Sequence, residues 1–142
     1  MSTSKNTHRN LLRYSKILIV DDSKFFRIKI KQILNDAQIG SVYYEAKDGK
    51  EAISQYIAHK PNLVIMDIEM PNVNGVKATM AIIHYDPNAK IIVISSVENR
   101  VIVNDVVNNY GAKDYVLKPM NSGSIVMTVS KQLVSTRVGI KN

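Results

Sequence analysis

The sequence has no cysteine, so it can build neither a disulfide framework nor a thiolate metal site, a usage that fits a reducing compartment. No apolar run approaches the length needed to span a bilayer. Residues 1–16 lack the hydrophobic stretch of a secretory signal, so a cytoplasmic protein without membrane contact is expected. His8, His59 and His84 have no partners at metal-ligand spacing and read as surface residues. Acid is missing from both ends. Residues 1–16 carry Lys5, Arg9, Arg13 and Lys16, and residues 115–142 carry Lys118, Lys131, Arg137 and Lys141, while all 12 acids lie between Asp21 and Asp114. The net charge of +7 therefore sits in the ends, and the body is close to neutral. Basic ends read as solubilising tails, so no direct contact with nucleic acid is expected.

The 142 residues suit one domain with a real core. Four short apolar runs dominate it. Leu63-Val64-Ile65-Met66 lies between Pro61 and Pro71 and ends in Asp67. Such a run, without helical period, reads as a strand buried on both faces. Ile17-Leu18-Ile19-Val20 ends in Asp21-Asp22, Ile91-Ile92-Val93-Ile94 in Ser95-Ser96, and Tyr115-Val116-Leu117 in Lys118-Pro119. A further strand is expected over Val42–Ala46.

Helical patterns alternate with these runs. The first, from about Lys24 to Asn35, has Asp22 or Ser23 as a cap and Phe26, Ile30, Ile33 and Leu34 facing the sheet. The second runs to about His59 with Ala52, Ile53, Tyr56 and Ile57 inward, and the third covers Val76–Tyr85. The fourth, about Glu98 to Asn109, carries Val101, Ile102, Val106 and Val107, with Gly111 placed for a left-handed cap. The last, about Ser122 to Ser135, needs Ile125, Val129 and Leu133 for the core. Residues 1–15 lack apolar periodicity and read as a flexible basic tail, residues 16–136 as the domain, and 137–142 as a C-terminal tail. Alternating strand and helix implies a parallel sheet with helices on both faces.

Ligands of such sheets bind outside the carboxyl ends of the strands. There Asp21, Asp22 and Asp67 form an all-oxygen set suited to Mg²⁺, which would offset their mutual repulsion. Lys118 can reach Asp67 or a phosphoryl oxygen, and the Ser95 hydroxyl can donate to another. Metal, lysine and hydroxyl around one carboxylate are the parts of phosphoryl transfer, with Asp67 as nucleophile and an aspartyl phosphate as product.

Val20-Asp21-Asp22-Ser23 with Arg27 and Leu34, Asp67-Ile68-Glu69-Met70-Pro71 with Gly75, Ser95-Ser96, Gly111-Ala112 and Tyr115-Val116-Leu117-Lys118-Pro119 occur in this order. Together they resemble the receiver domain of two-component response regulators of the chemotaxis type, over roughly Ser15 to Ser135. The resemblance implies a flavodoxin-like, doubly wound α/β fold with five parallel strands in the order 2-1-3-4-5 and five helices. It implies Asp67 as the phosphorylated residue and Asp21, Asp22, Asp67 and the backbone carbonyl of Glu69 as the Mg²⁺ shell. It further implies Ser95 and Tyr115 as the switch pair and Lys118 as the family's lysine. The partners implied are a sensor histidine kinase or histidine phosphotransfer protein as donor, and an output protein on the face of the last strand and last two helices. Phe25 and Ile28 are expected in the donor's footprint, and Met127 in a hydrophobic partner contact or homodimer. Three positions depart from the usual pattern: Ser95 stands for Thr, Asn74 for Asp before Gly75, and Glu69 places an acid two residues past Asp67.

The expected function is a stand-alone phosphoacceptor, not an enzyme acting on other substrates. One alternative is a receiver excised from a larger regulator. Another is a Mg²⁺-dependent phosphohydrolase of the haloacid-dehalogenase kind, which needs an acid two residues past a first-strand aspartate. The first strand here ends Asp21-Asp22-Ser23-Lys24, without it.

Overall fold

Five short segments become five parallel strands; the three apolar runs at the centre are buried by helices above and below, and the two outer strands are only partly covered. The computed structural model describes residues 2–70 and 73–135, with side chains from residue 6 onward. The expected C-terminal tail, 137–142, and the loop residues Pro71 and Asn72 lie outside the described residues. The elements are α1 (Ser2–Arg13), β1 (Lys16–Val20), α2 (Lys24–Asp36), β2 (Val42–Ala46), α3 (Gly49–His59) and β3 (Leu63–Asp67). They continue with α4 (Gly75–Tyr85), β4 (Ile91–Ser95), a 3-10 turn (Val97–Asn99), α5 (Arg100–Asn108), β5 (Asp114–Leu117) and α6 (Ser122–Val134). The sheet order is β2-β1-β3-β4-β5, the doubly wound order expected.

Strand alternation divides the core in two. Leu18, Val20, Val64, Met66, Ile91 and Val93 meet Ala52, Tyr56, Ala78, Ile82, Val103 and Val106 of α3, α4 and α5. Ile17, Ile19, Leu63, Ile65, Ile92 and Ile94 meet Ile30 and Leu34 of α2 and Ile125, Val129 and Leu133 of α6. The stripe expected on the last helix is thus the one buried. Register then levels the strand ends. Val20 lies opposite Met66 and Asp67 opposite Ile94, so Asp21 is level with Asp67. Ser95 lies opposite Leu117, which puts Lys118 one step beyond.

Side-chain caps fix where the helices start: Ser23 accepts from Phe26 N–H, Asp48 from Glu51 N–H, Asn74 from Lys77 N–H and Asn121 from Ser124 N–H. Gly111, at φ +96°, takes the left-handed conformation after α5.

Four expectations need correction. Residues 2–13 are helical, not a flexible tail, so there are six α-helices rather than five. Leu12 packs on the core layer that includes Leu133, and its carbonyl accepts from Ser15 Oγ (2.9 Å) and Gly40 N–H (2.7 Å). A single partly buried leucine anchors the segment, too little to register as periodicity. On α5 the buried stripe is Val103 and Val106, while Val101 and Ile102 are exposed, because the 3-10 turn uses up residues and rotates the helix start. Ile57 is likewise exposed on α3. Phe26 is half-buried, with the Lys118 ammonium 6.0 Å from its ring centre.

Candidate functional site

The carboxyl ends of β1, β3, β4 and β5 converge as the register requires. Asp21 and Asp67 are 3 % and 2 % exposed, whereas Asp22 is exposed. One oxygen from each of the three carboxylates lies within 4.8 Å of the others. Asp21 Oδ1 accepts from Ser23 N–H (2.9 Å) and Asp67 Oδ1 from Glu69 N–H (2.9 Å). Lys118 Nζ stands 3.5 Å from Asp67 Oδ1, and the Lys118–Pro119 peptide is cis.

Burial pushes the Asp21 carboxyl up to about 6, with the Asp67 and Asp22 charges adding and the Ser23 N–H opposing. Burial also raises Asp67, against the pull of the Glu69 N–H and Lys118. Burial alone would lower Lys118, but Asp67 and Glu69 outweigh it and hold the ammonium above its ordinary value. Two buried carboxylates beside a third, with Lys118 pairing Asp67 but no ion pair to Asp21 or Asp22 among the described residues, form an electrostatic deficit. A hard divalent cation with oxygen ligands fits it.

The Asp21 value has a testable consequence in metal-free protein. A carboxyl that titrates near 6 when folded and near 3.8 ordinarily binds its proton more tightly in the folded state. Its contribution therefore favours folding below about pH 4 and is lost as pH rises through 6, a swing of roughly 3 kcal/mol. In EDTA, the stability of Asp21→Asn relative to wild type should rise between pH 4 and pH 7 by about that amount in urea titrations. A pH-independent difference would contradict the assignment.

Glu69 does more than its position suggests. Its Oε1 is 3.2 Å from Lys118 Nζ, closer than Asp67 is. Its Oε2 accepts from Ser96 Oγ (2.6 Å), Ser96 N–H (3.3 Å), Ser95 Oγ (3.5 Å) and the Asn99 side-chain amide. Burial alone would raise this carboxyl, but the Ser96 and Lys118 bonds hold it low. One side chain thus ties the ends of β3, β4 and β5 to the 3-10 turn. In the sequence Ser96 stands only as part of the Ser95-Ser96 pair, and Asn99 only as an amide three residues further on. Ser95 is fully buried, and no hydrogen bond joins it to Asp67 among the described residues. Tyr115 is 44 % exposed on β5. Phe25 and Ile28 are exposed on α2, and Met127 is 71 % exposed on α6. Among the described residues no helix is long and apolar enough to cross a membrane.

Sequence and fold are both similar to those of known proteins. The model of the response regulator receiver domain family matches residues 17–130. The chain is 40% identical over 116 residues to chemotaxis protein CheY of Thermotoga maritima, covering 82% of this chain and 95% of that one. It is 39% identical over 117 residues to protein CcdB of Bacillus subtilis, covering 82% of this chain and 96% of that one. The CheX-CheY-BeF3-Mg²⁺ complex from Borrelia burgdorferi superimposes with a TM-score of 0.79 at 31% identity, covering 85% of this chain and 90% of that one. Fold, strand-end chemistry and family match agree: this chain belongs to the response regulator receiver domain family, of the chemotaxis type, and serves two-component signal transduction.

Proposed function

We propose that the protein is a phosphoacceptor switch that takes a phosphoryl group onto Asp67 from a phosphohistidine of a sensor kinase or phosphotransfer protein. One observation carries this reading: a carboxylate at the end of the central strand, 2 % exposed, has an ammonium 3.5 Å away and two more carboxylates within 4.8 Å. Asp67 Oδ bonds to phosphorus as the P–N bond of the donor breaks. The imidazole nitrogen keeps the bonding pair and takes up a proton from solvent. Asp21, Asp22, Asp67 and the Glu69 carbonyl would hold Mg²⁺, which when bound supplies charge neutralisation for the phosphoryl oxygens. The Borrelia relative, crystallised with BeF3 and Mg²⁺, supports that choice of cation.

Lys118 stays on the developing charge, and here it must loosen its hold on Glu69. The phosphoryl group brings charge and strong acceptors. It would draw Ser95 away from its long contacts to Glu69 and the Ser96 carbonyl, and Tyr115 would turn inward into the space released. That couples the site to the face of α5, β5 and α6, where Val101, Tyr115 and Met127 are exposed for an output partner or a second copy. Phe25 and Ile28 would meet the donor. Chemistry is limited to the protein's own phosphorylation and dephosphorylation, in the cytoplasm.

Incubation with acetyl phosphate and Mg²⁺ should add the mass of one phosphoryl group to the intact chain, and EDTA should prevent it. No gain, or an equal gain in EDTA, would refute the proposal.

A further inference from the structure

Arg27 lies outside the acidic triad yet grips its backbone. Asp22 is the triad's exposed member, and the Asp21–Asp22 peptide sets where it stands. The amide of Asp21 donates to Ala46 O (3.1 Å), and its carbonyl accepts from Arg27 Nη1 (2.6 Å). The other side of the same guanidinium donates through Nε to Glu45 Oε1 (2.8 Å) on β2. The second Glu45 oxygen accepts from Lys31 Nζ (2.8 Å), one turn further along α2. The Arg27 side chain is only 14% exposed, so the fork is held by packing as well as by bonds.

We propose that Arg27 is a positioning residue for the divalent-cation site, fixing the Asp21–Asp22 peptide plane while Glu45 offsets its charge. The inference rests on the reading of Asp21, Asp22 and Asp67 as ligands of Mg²⁺. A guanidinium so near a cation site is electrostatically unfavourable unless neutralised, and Glu45 neutralises it through Nε while Nη1 holds the Asp21 carbonyl. The planar fork makes both bonds at fixed geometry, which a lysine ammonium on a flexible stem does not reproduce. Groups that orient metal ligands without touching the metal typically contribute 10- to 100-fold to affinity.

Charge and position predict opposite signs. By charge alone, Arg27→Gln removes a positive neighbour and should tighten Mg²⁺ binding. As a positioning residue, its loss should weaken binding by about tenfold or more. The test is calorimetric titration of the full chain with Mg²⁺ alone, well below the unfolding temperature, with circular dichroism confirming that each variant is folded. Arg27→Gln and Arg27→Lys should both bind about tenfold more weakly than wild type. Lys31→Gln, which takes away the other partner of Glu45 but leaves the Asp21 carbonyl bonded, should stay within about twofold. Arg27→Lys keeps the charge and serves if Arg27→Gln does not fold. Wild-type or tighter affinity in the folded Arg27 variants, or equal weakening in Lys31→Gln, would overturn the positioning role alone. A wild type that takes up no Mg²⁺ would overturn the metal reading, and the inference with it.

Discussion

Asp67→Asn is expected to take up no phosphoryl group from any donor, and in metal-free buffer at neutral pH to unfold at a higher urea concentration than wild type. The loss follows from chemistry, since a carboxamide offers no anionic oxygen to attack phosphorus. The gain follows from burial. Asp67 is 2 % exposed and its carboxyl is pushed up by that burial, so ionising it at pH 7 costs folding free energy. Asparagine keeps the shape and, through its carbonyl oxygen, can keep the bond from the Glu69 N–H, 2.9 Å in the wild type. Lys118 keeps Glu69 as a partner at 3.2 Å, so no cation is stranded. Added Mg²⁺ should narrow the gap, because it stabilises the form that binds it. Undiminished labelling of Asp67→Asn would contradict the role of Asp67. A lower urea midpoint in EDTA would contradict the electrostatic account.

Gly75→Ala should be one of the most damaging single methyls in the domain. A Cβ there would lie 2.2 Å from the Asp67 carbonyl oxygen and 2.6 Å from Ile68 Cα. Both obstacles are backbone, so relief requires the start of α4 or the end of β3 to move. Overpacking of this kind costs about 3 kcal/mol, a fall in Tm of roughly 10 °C for a domain of this size. The same displacement moves the reacting carboxylate. Misplacement by about an ångström can cost a hundredfold in rate, so labelling of the folded fraction should slow at least tenfold. Gly123→Ala is the control: its Cβ would meet only the Asn121 side chain at 3.5 Å. In the first turn of α6, alanine should leave stability unchanged or raise it by up to about 1 kcal/mol. Thermal melts of both variants check the contrast, and similar behaviour would refute it.

The strands and the levels of their carboxyl ends were legible because buried parallel strands leave unbroken apolar runs and put their polar residues just past them. Asp67, Asp21, Ser95 and Lys118 could be aligned before any contact was known, and the structure brings them together at one sheet edge. The cap of α2 was legible to within two residues, Asp22 or Ser23, for a similar reason: capping is local, and Ser23 takes the role. Features made by distant contacts were not. Helix α1 hangs on Leu12 meeting the core, a meeting no local pattern announces. The face of α5 depends on a 3-10 turn that consumes Val97–Asn99. The Glu69 hub and the Arg27 fork each join elements 18 or more residues apart. Their spacing carries no periodicity, and only the folded chain brings them into contact.

The central claim is that the reacting oxygen belongs to Asp67. Borohydride reduction cleaves an acyl phosphate and leaves the side chain as an alcohol, marking the residue that carried it. Protein treated with acetyl phosphate and Mg²⁺, then reduced and digested, should show by peptide mass spectrometry a homoserine at position 67 and at no other acid. Reduction at Asp21, Asp22 or Glu69 with position 67 intact would contradict the account.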